Sequence, residues 1–258
     1  MPSVTIRVPG TTANLGPGFD TLGIAVKLYN RVRVTPAGRS GVSITSPLAD
    51  DARSGAEAML GEAAALFFRR TKKAKFGFEI SLTGDVPIAR GLGSSVTARL
   101  GLVAALDELA GAGLDRQALL EMVTKLEGHP DNAAPAIFGG FTAAGMVAGS
   151  VRVLRCPVPS KLKFVTLIPR FEVSTPQARK LVPQSFSKAD TVHNLNRSAL
   201  ISAAFALGDY EALRGCFDDR VSPIANSSFP GSAPSSGLAR RPAPSADGSA
   251  AAVRPSCA

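Results

Sequence analysis

The chain has 258 residues, 45% of them apolar and 19% charged, so it is long enough to bury a core and too apolar to remain disordered. Its formal net charge of +9 comes from scattered Lys and Arg with no basic run interleaved with aromatics, which argues against nucleic-acid binding and suits an enzyme that handles anions. Three distant cysteines without a CxxC pair indicate neither a disulfide framework nor a zinc site, and the start MPSVTIRVPG has no basic-then-apolar leader. With no apolar run of about 18 residues either, a cytoplasmic protein without a membrane span is expected.

In chain order, residues 4–8 (VTIRV) and 26–34 (VKLYNRVRV) alternate like half-buried strands, and the Gly-rich GTTANLGPGFDTLG between them reads as a loop. Residues 56–70 place Met59, Leu60, Ala63, Leu66 and Phe67 on one helical face, and 76–82 alternates again through Phe76, Phe78, Ile80 and Leu82. A small-residue helix is expected over 96–111 and a second over 116–127 with Leu119, Leu120, Val123 and Leu126 inward. Strands return at 151–154 and 163–168. Residues 191–220 read as two helices broken near Gly208, with Asp209 capping the second.

The informative segment is DVPIARGLGSS at 85–95, a Gly/Ser-rich loop between a strand and a long helix. Its glycines allow close backbone approach, and the first N–H groups of the helix favour a phosphate. It is neither a Walker A loop, since no Lys follows the glycines, nor a Rossmann fingerprint, since Val96 stands where the third Gly belongs. PIARGLGSS resembles the ATP loop of the GHMP small-molecule kinases. That resemblance assigns Pro87, Ile88, Ala89, Arg90, Gly91, Leu92, Gly93, Ser94 and Ser95 to the nucleotide phosphates, with ATP as the expected phosphoryl donor.

VPGTTANLGPGFDTLG at 8–23 is similar to the N-terminal signature of the homoserine kinases within that family, and implies that Asn14 and Asp20 contact the amino-alcohol substrate. Without the resemblance, both residues read as turn formers among glycines. EGHPDNAAPA at 127–136 resembles the same group. It implies that Glu127, at a helix end, joins Ser95 in holding the Mg²⁺ of the nucleotide complex, a hard cation that prefers oxygen ligands. His129 and Asn132 match substrate-contacting positions, and because Asn cannot serve as a general base, phosphoryl transfer would rest on positioning and charge stabilisation by Asn132, Glu127 and Ser95. VSTPQAR at 173–179 resembles the segment whose arginine, here Arg179, grips the homoserine carboxylate through two parallel bonds. His193 matches nothing catalytic and is read as structural.

After Arg220 the composition changes: the last 38 residues hold nine Ser, six Pro and nine Ala, with no Lys and no Glu. Shifting every codon one base earlier fixes the second and third base of each new codon. Residues 222–231 (SPIANSSFPG) then admit QPYREQLIPG, and residues 249–257 (SAAAVRPSC) admit LSGSGPTVL, both resembling homoserine kinase segments. A single-base frame change near codon 221 is inferred. The resemblance implies an α+β, two-domain GHMP kinase fold, truncated or disordered at its C-terminus. Residues 1–150 would form the ATP-binding domain, 151–220 an incomplete C-terminal domain and 221–258 an out-of-frame, disordered tail. The expected partners are ATP and L-homoserine, with no nucleic acid and no membrane; a homodimer is left open. Another GHMP kinase activity and an inactive nucleotide-binding remnant are the alternatives.

Overall fold

The structure is a computed structural model that describes residues 2–38, 41–47, 50–165, 179–180, 182–222 and 250–251. It is α+β. Strand β2 (Leu22–Ala37) is the spine of a six-stranded sheet, because at 16 residues it is long enough to serve two sets of neighbours. β1 (Val4–Ala13) runs antiparallel along one edge of it. Along the other edge, β4 (Gly77–Gly84) pairs with Asn30–Ala37 and β5 (Phe141–Val147) pairs with Leu22–Ile24. β3 (Val42–Ile44) lies parallel to β4, and β6 (Ser150–Cys156) closes a hairpin with β5.

The β1–β2 register jumps where Pro9 faces Tyr29 and Thr11 faces Ala25. Proline has no N–H for the ladder, and Gly10 has no side chain, so the ladder breaks at Gly10, opposite Val26, Lys27 and Leu28. A Cβ at Gly10 would lie 3.1 Å from Val86 and 3.3 Å from the Leu92 carbonyl. The freed Thr11 N–H donates to that carbonyl at 3.1 Å, which ties the 85–93 loop to the sheet.

Helices α1 (Asp50–Thr71), α2 (Ser94–Ala110) and α3 (Arg116–Glu127) cover the sheet. α2 is buried on several sides, as its small residues allow: a Cβ on Gly101 would meet Val32 at 2.4 Å. The main core joins Val32, Val34 and Ile80 of the sheet to Leu60, Phe67, Leu102, Leu106 and Met122 of these helices. The Asp115 carboxylate caps α3 by accepting from Ala118 N at 2.7 Å, and Gly128 ends it at φ 89°. The short α4 (Ala133–Phe138) comes immediately after.

A second core lies at the opposite end of β2, where Leu15, Leu22, Ile24 and Phe141 meet Ile201 and Phe205 of α5 (Lys188–Leu207) and Leu213 of a 3-10 turn, Glu211–Leu213. Phe141 and Phe205 stack with centroids 4.2 Å apart. Asn194 anchors the segment after the 3-10 turn by donating to Asp219 at 2.7 Å and accepting from Arg220 N at 3.0 Å. His193 is buried beside Asp218, with 3.1 Å between His193 Nε2 and Asp218 Oδ2. β7 (Lys163–Phe164) pairs in parallel with β8 (Ala250–Ala251).

Two expectations are corrected, and three elements were not foreseen. Gly10–Ala13 and Leu22–Gly23 are strand, so only 14–21 forms the turn; ladder bonding across the Gly10 bulge overrides the local glycine signal. Asp209 does accept from Ala212 N at 3.3 Å, but the residues it caps form a single 3-10 turn and not a helix, with Gly215 at φ 72° soon after. β3 and α4 are too short to carry an apolar period, and β5 (FTAAGMV) does not alternate, so none of the three was expected from the sequence. Residues 166–168 of the expected strand, the VSTPQA part of the arginine segment and most of the tail lie outside the described residues. Among the described residues, no helix is long and apolar enough to cross a membrane.

Candidate active site

The 85–95 loop runs from the end of β4 to the start of α2, as its sequence predicts. Ala89, Gly91 and Gly93 all take positive φ, at 53°, 71° and 67°. Leu92, 1% exposed, pins the loop from below, while Ile88 is 63% exposed. A buried clamp holds the loop's first turn: Asn30 accepts from Val86 N at 3.2 Å and donates to Thr97 Oγ1 at 2.8 Å. The result is a backbone ring at the positive end of a 17-residue helix, a favourable seat for an anion.

Beside it, Glu127 ends α3 and reaches α2. Ser95 Oγ donates to its Oε2 at 3.1 Å, so the two proposed cation ligands are together. The sequence reading missed Arg99, one turn after Ser95, whose Nη1 lies 2.8 Å from Glu127 Oε1. Its cue was the i, i+4 spacing from Ser95 on one helix face.

On the other side, the 14–21 turn uses left-handed backbone at Asn14 (φ 66°), Leu15, Gly16 and Asp20 (φ 54°). Asn14 is buried and its Oδ1 accepts from Asp20 N at 2.9 Å, so it shapes the turn. That turn presents the Asp20 carboxylate to Arg179, which donates to it through both Nη atoms at 3.1 and 2.5 Å. Residues 159 positions apart are thus joined. Asp20 also holds the Arg179 guanidinium firmly cationic.

His129 lies 4.0 Å from Asp20 and makes a 2.5 Å hydrogen bond through Nδ1 to Asp131 Oδ1. Burial opposes protonation of His129, but the Asp131 bond and charge, helped by Asp20, outweigh it and raise its pKa above the ordinary imidazole value. Asp131, fully buried, was not singled out from the sequence. Its Oδ1 also accepts from Asn132 N at 2.8 Å. Asn132 then turns toward the 85–95 loop: its Oδ1 accepts from Thr11 Oγ1 at 2.8 Å, and a Cβ on Gly93 would approach it to 3.2 Å. Asn132 is thus the seam between a pocket bearing paired charges and the anion seat.

Residues 58–140 match the family described as GHMP kinases N terminal domain. The chain is 39% identical over 220 residues to a homoserine kinase of Deinococcus radiodurans, covering 85% of this chain and 72% of that protein. It is 36% identical over 222 residues to a homoserine kinase of Clostridium kluyveri, covering 86% and 74%. Among solved structures, homoserine kinase from Cytophaga hutchinsonii superposes with a TM-score of 0.73 at 27% identity, covering 87% of this chain and 74% of that one. The loop at the head of α2, the 14–21 turn and these likenesses agree: the chain belongs to the homoserine kinase family of GHMP kinases.

Proposed function

We propose that the chain's site transfers the γ-phosphoryl group of ATP to the side-chain hydroxyl of L-homoserine, giving ADP and O-phospho-L-homoserine. The observation that carries this reading is the Thr11–Asn132 contact at 2.8 Å, which puts the anion seat of α2 against a pocket holding one carboxylate and one guanidinium. A zwitterionic amino acid needs those two charges: Asp20 for its ammonium and Arg179 for its carboxylate. The residues after Gly84 and at the start of α2 would receive the nucleotide phosphates through backbone N–H groups.

In the transfer, the substrate oxygen attacks the γ-phosphorus as the bond to the β-phosphate oxygen breaks, and the hydroxyl proton leaves to solvent or phosphate. Asn132 cannot take that proton, and its oxygen is engaged by Thr11, so it positions and does not act as a base. His129 is held by Asp131 in the wall of the amino-acid pocket, where it orients the substrate. Catalysis then rests on alignment and charge stabilisation, the two effects that contribute most to phosphoryl transfer.

Ser95 Oγ and Glu127 Oε2 fit a Mg²⁺ ion as donors. They are hard oxygens 3.1 Å apart, close to the roughly 3 Å between adjacent ligands of an octahedron with bonds of about 2.1 Å. When bound, Mg²⁺ would neutralise charge on the phosphates. We further propose that residues 1–150 form the ATP-binding unit and 151–220 an incomplete C-terminal unit, with the frame changed near codon 221. The matched span of 222 residues in the Clostridium kluyveri comparison is nearly the length preceding the composition break.

The test is homoserine-dependent ADP release with ATP and Mg²⁺, by the 258-residue chain beside one whose frame is restored after codon 220. Turnover by the restored chain alone supports both the reaction and the frame change. A folded restored chain that binds ATP without homoserine-dependent turnover would refute the substrate assignment.

A further inference from the structure

Arg99 is built into the proposed cation site, although nothing in the phosphoryl-transfer reading requires it. It projects from α2 one turn after Ser95, and its side chain is only 13% exposed. Nη1 donates both to Glu127 Oε1 at 2.8 Å and to the Leu126 carbonyl at 2.8 Å, gripping the C-terminal end of α3. Nη2 stands 3.6 Å from Glu62, whose own side chain is 65% exposed. Arg99 Nε is buried and has no hydrogen-bond partner among the described residues. The Glu127 side chain is 11% exposed, so its strongest charge partner is this guanidinium and not water.

This arrangement divides the carboxylate. Oε1 is committed to Arg99, while Oε2 faces Ser95 Oγ at 3.1 Å. A divalent ion approaching Oε2 meets a carboxylate whose charge is already offset, with a fixed positive charge behind it. In poorly screened surroundings that repulsion is substantial.

We propose that Arg99 sets the divalent-cation response of this site: it orients Glu127 so that Oε2 and the Ser95 hydroxyl face the cation, and it keeps affinity low until nucleotide phosphates supply the missing negative charge. Arg99 is a positioning residue here, acting through Glu127. The consequence is that cation and nucleotide enter as one complex, and the free protein is protected from taking up metal unproductively. The inference rests on Ser95 and Glu127 being the cation ligands.

The experiment uses the full chain without nucleotide and Mn²⁺ as the probe, with free Mn²⁺ read by electron paramagnetic resonance. Arg99→Met keeps most of the stem's packing and removes the charge; Mn²⁺ affinity is expected to rise by about tenfold or more. Adding Glu127→Gln to that variant should abolish the gain. Unchanged or weakened affinity in folded Arg99→Met overturns the inference, as does a gain that survives Glu127→Gln.

If Arg99→Met does not fold, Arg99→Gln, which can still donate to the Leu126 carbonyl, takes its place with the same expected gain. Glu127→Gln in the otherwise unchanged chain adds a separate check. It leaves the Arg99 charge uncompensated beside Ser95, so nucleotide-free Mn²⁺ affinity should fall by about tenfold or more, and an unchanged or raised affinity would overturn the idea. Homoserine-dependent turnover by the frame-restored chain without the Mn²⁺ shift refutes this inference and spares the proposed reaction, whereas the shift without turnover by a folded frame-restored chain does the reverse.

Discussion

Replacing Asp131 by Asn tests how the proposed amino-acid pocket is held. The carboxylate is fully buried, and its Oδ1 bonds His129 Nδ1 at 2.5 Å and Asn132 N at 2.8 Å. Asn keeps the shape and one acceptor oxygen but removes the charge. A hydrogen bond to a charged partner contributes about 1.5–3 kcal/mol, so Asp131→Asn should destabilise the chain by about 2–3 kcal/mol while His129 is protonated.

The sign of the pH dependence is set by His129. Its folded pKa is raised above 6.5, so the stability it contributes is fully present below that value and is lost as pH rises through the higher folded value. Above it, the buried Asp131 carboxylate faces a neutral ring and its desolvation is poorly offset, so the cost of the substitution should fall to about 1 kcal/mol or less. Urea unfolding of both proteins, at about pH 5.5 and again at about pH 9, measures the difference directly. A cost that stays constant between the two conditions would refute the coupling of His129 to Asp131.

Arg179→Met should raise the homoserine KM by about ten- to a hundredfold in the frame-restored chain, with the ATP KM nearly unchanged; steady-state kinetics with each substrate varied reads the split. Gly93→Ala forces a methyl against Thr11 Oγ1 at 2.4 Å on backbone at φ 67°, so a loss of about 1–3 kcal/mol in unfolding free energy and weaker nucleotide binding should appear together in a thermal melt and an ATP titration. Gly101→Ala drives its methyl into Val32 away from the site; stability should fall by about 1–3 kcal/mol with both KM values kept.

The elements legible in the sequence were those with a clear period and clear ends. α3 runs from Arg116 to Glu127 as expected because four apolar residues repeat at helical spacing between an Asp115 cap and Gly128. β3, with three residues, and α4, with six, are too short to carry a period of their own and exist because neighbours pair with or bury them. The Asn14 side chain closes onto Asp20 N within its own turn, a contact of the short-range kind that a run of turn-forming residues announces.

By itself, the order of residues determined that a Gly/Ser loop would open α2, that a Gly-rich turn would carry Asp20, and that Glu127, His129 and Asn132 would share one helix end and its loop. These are local matters of spacing, caps and glycine conformations, readable within a dozen residues. Only the tertiary structure decided the pairings: Thr11 with Asn132 across 121 positions, Asp20 with Arg179 across 159, Arg99 with Glu127 across 28. Such pairings depend on sheet register and on helices packed over it, which bring distant side chains within about 3 Å, and no local pattern in the chain encodes which partner each charge will meet.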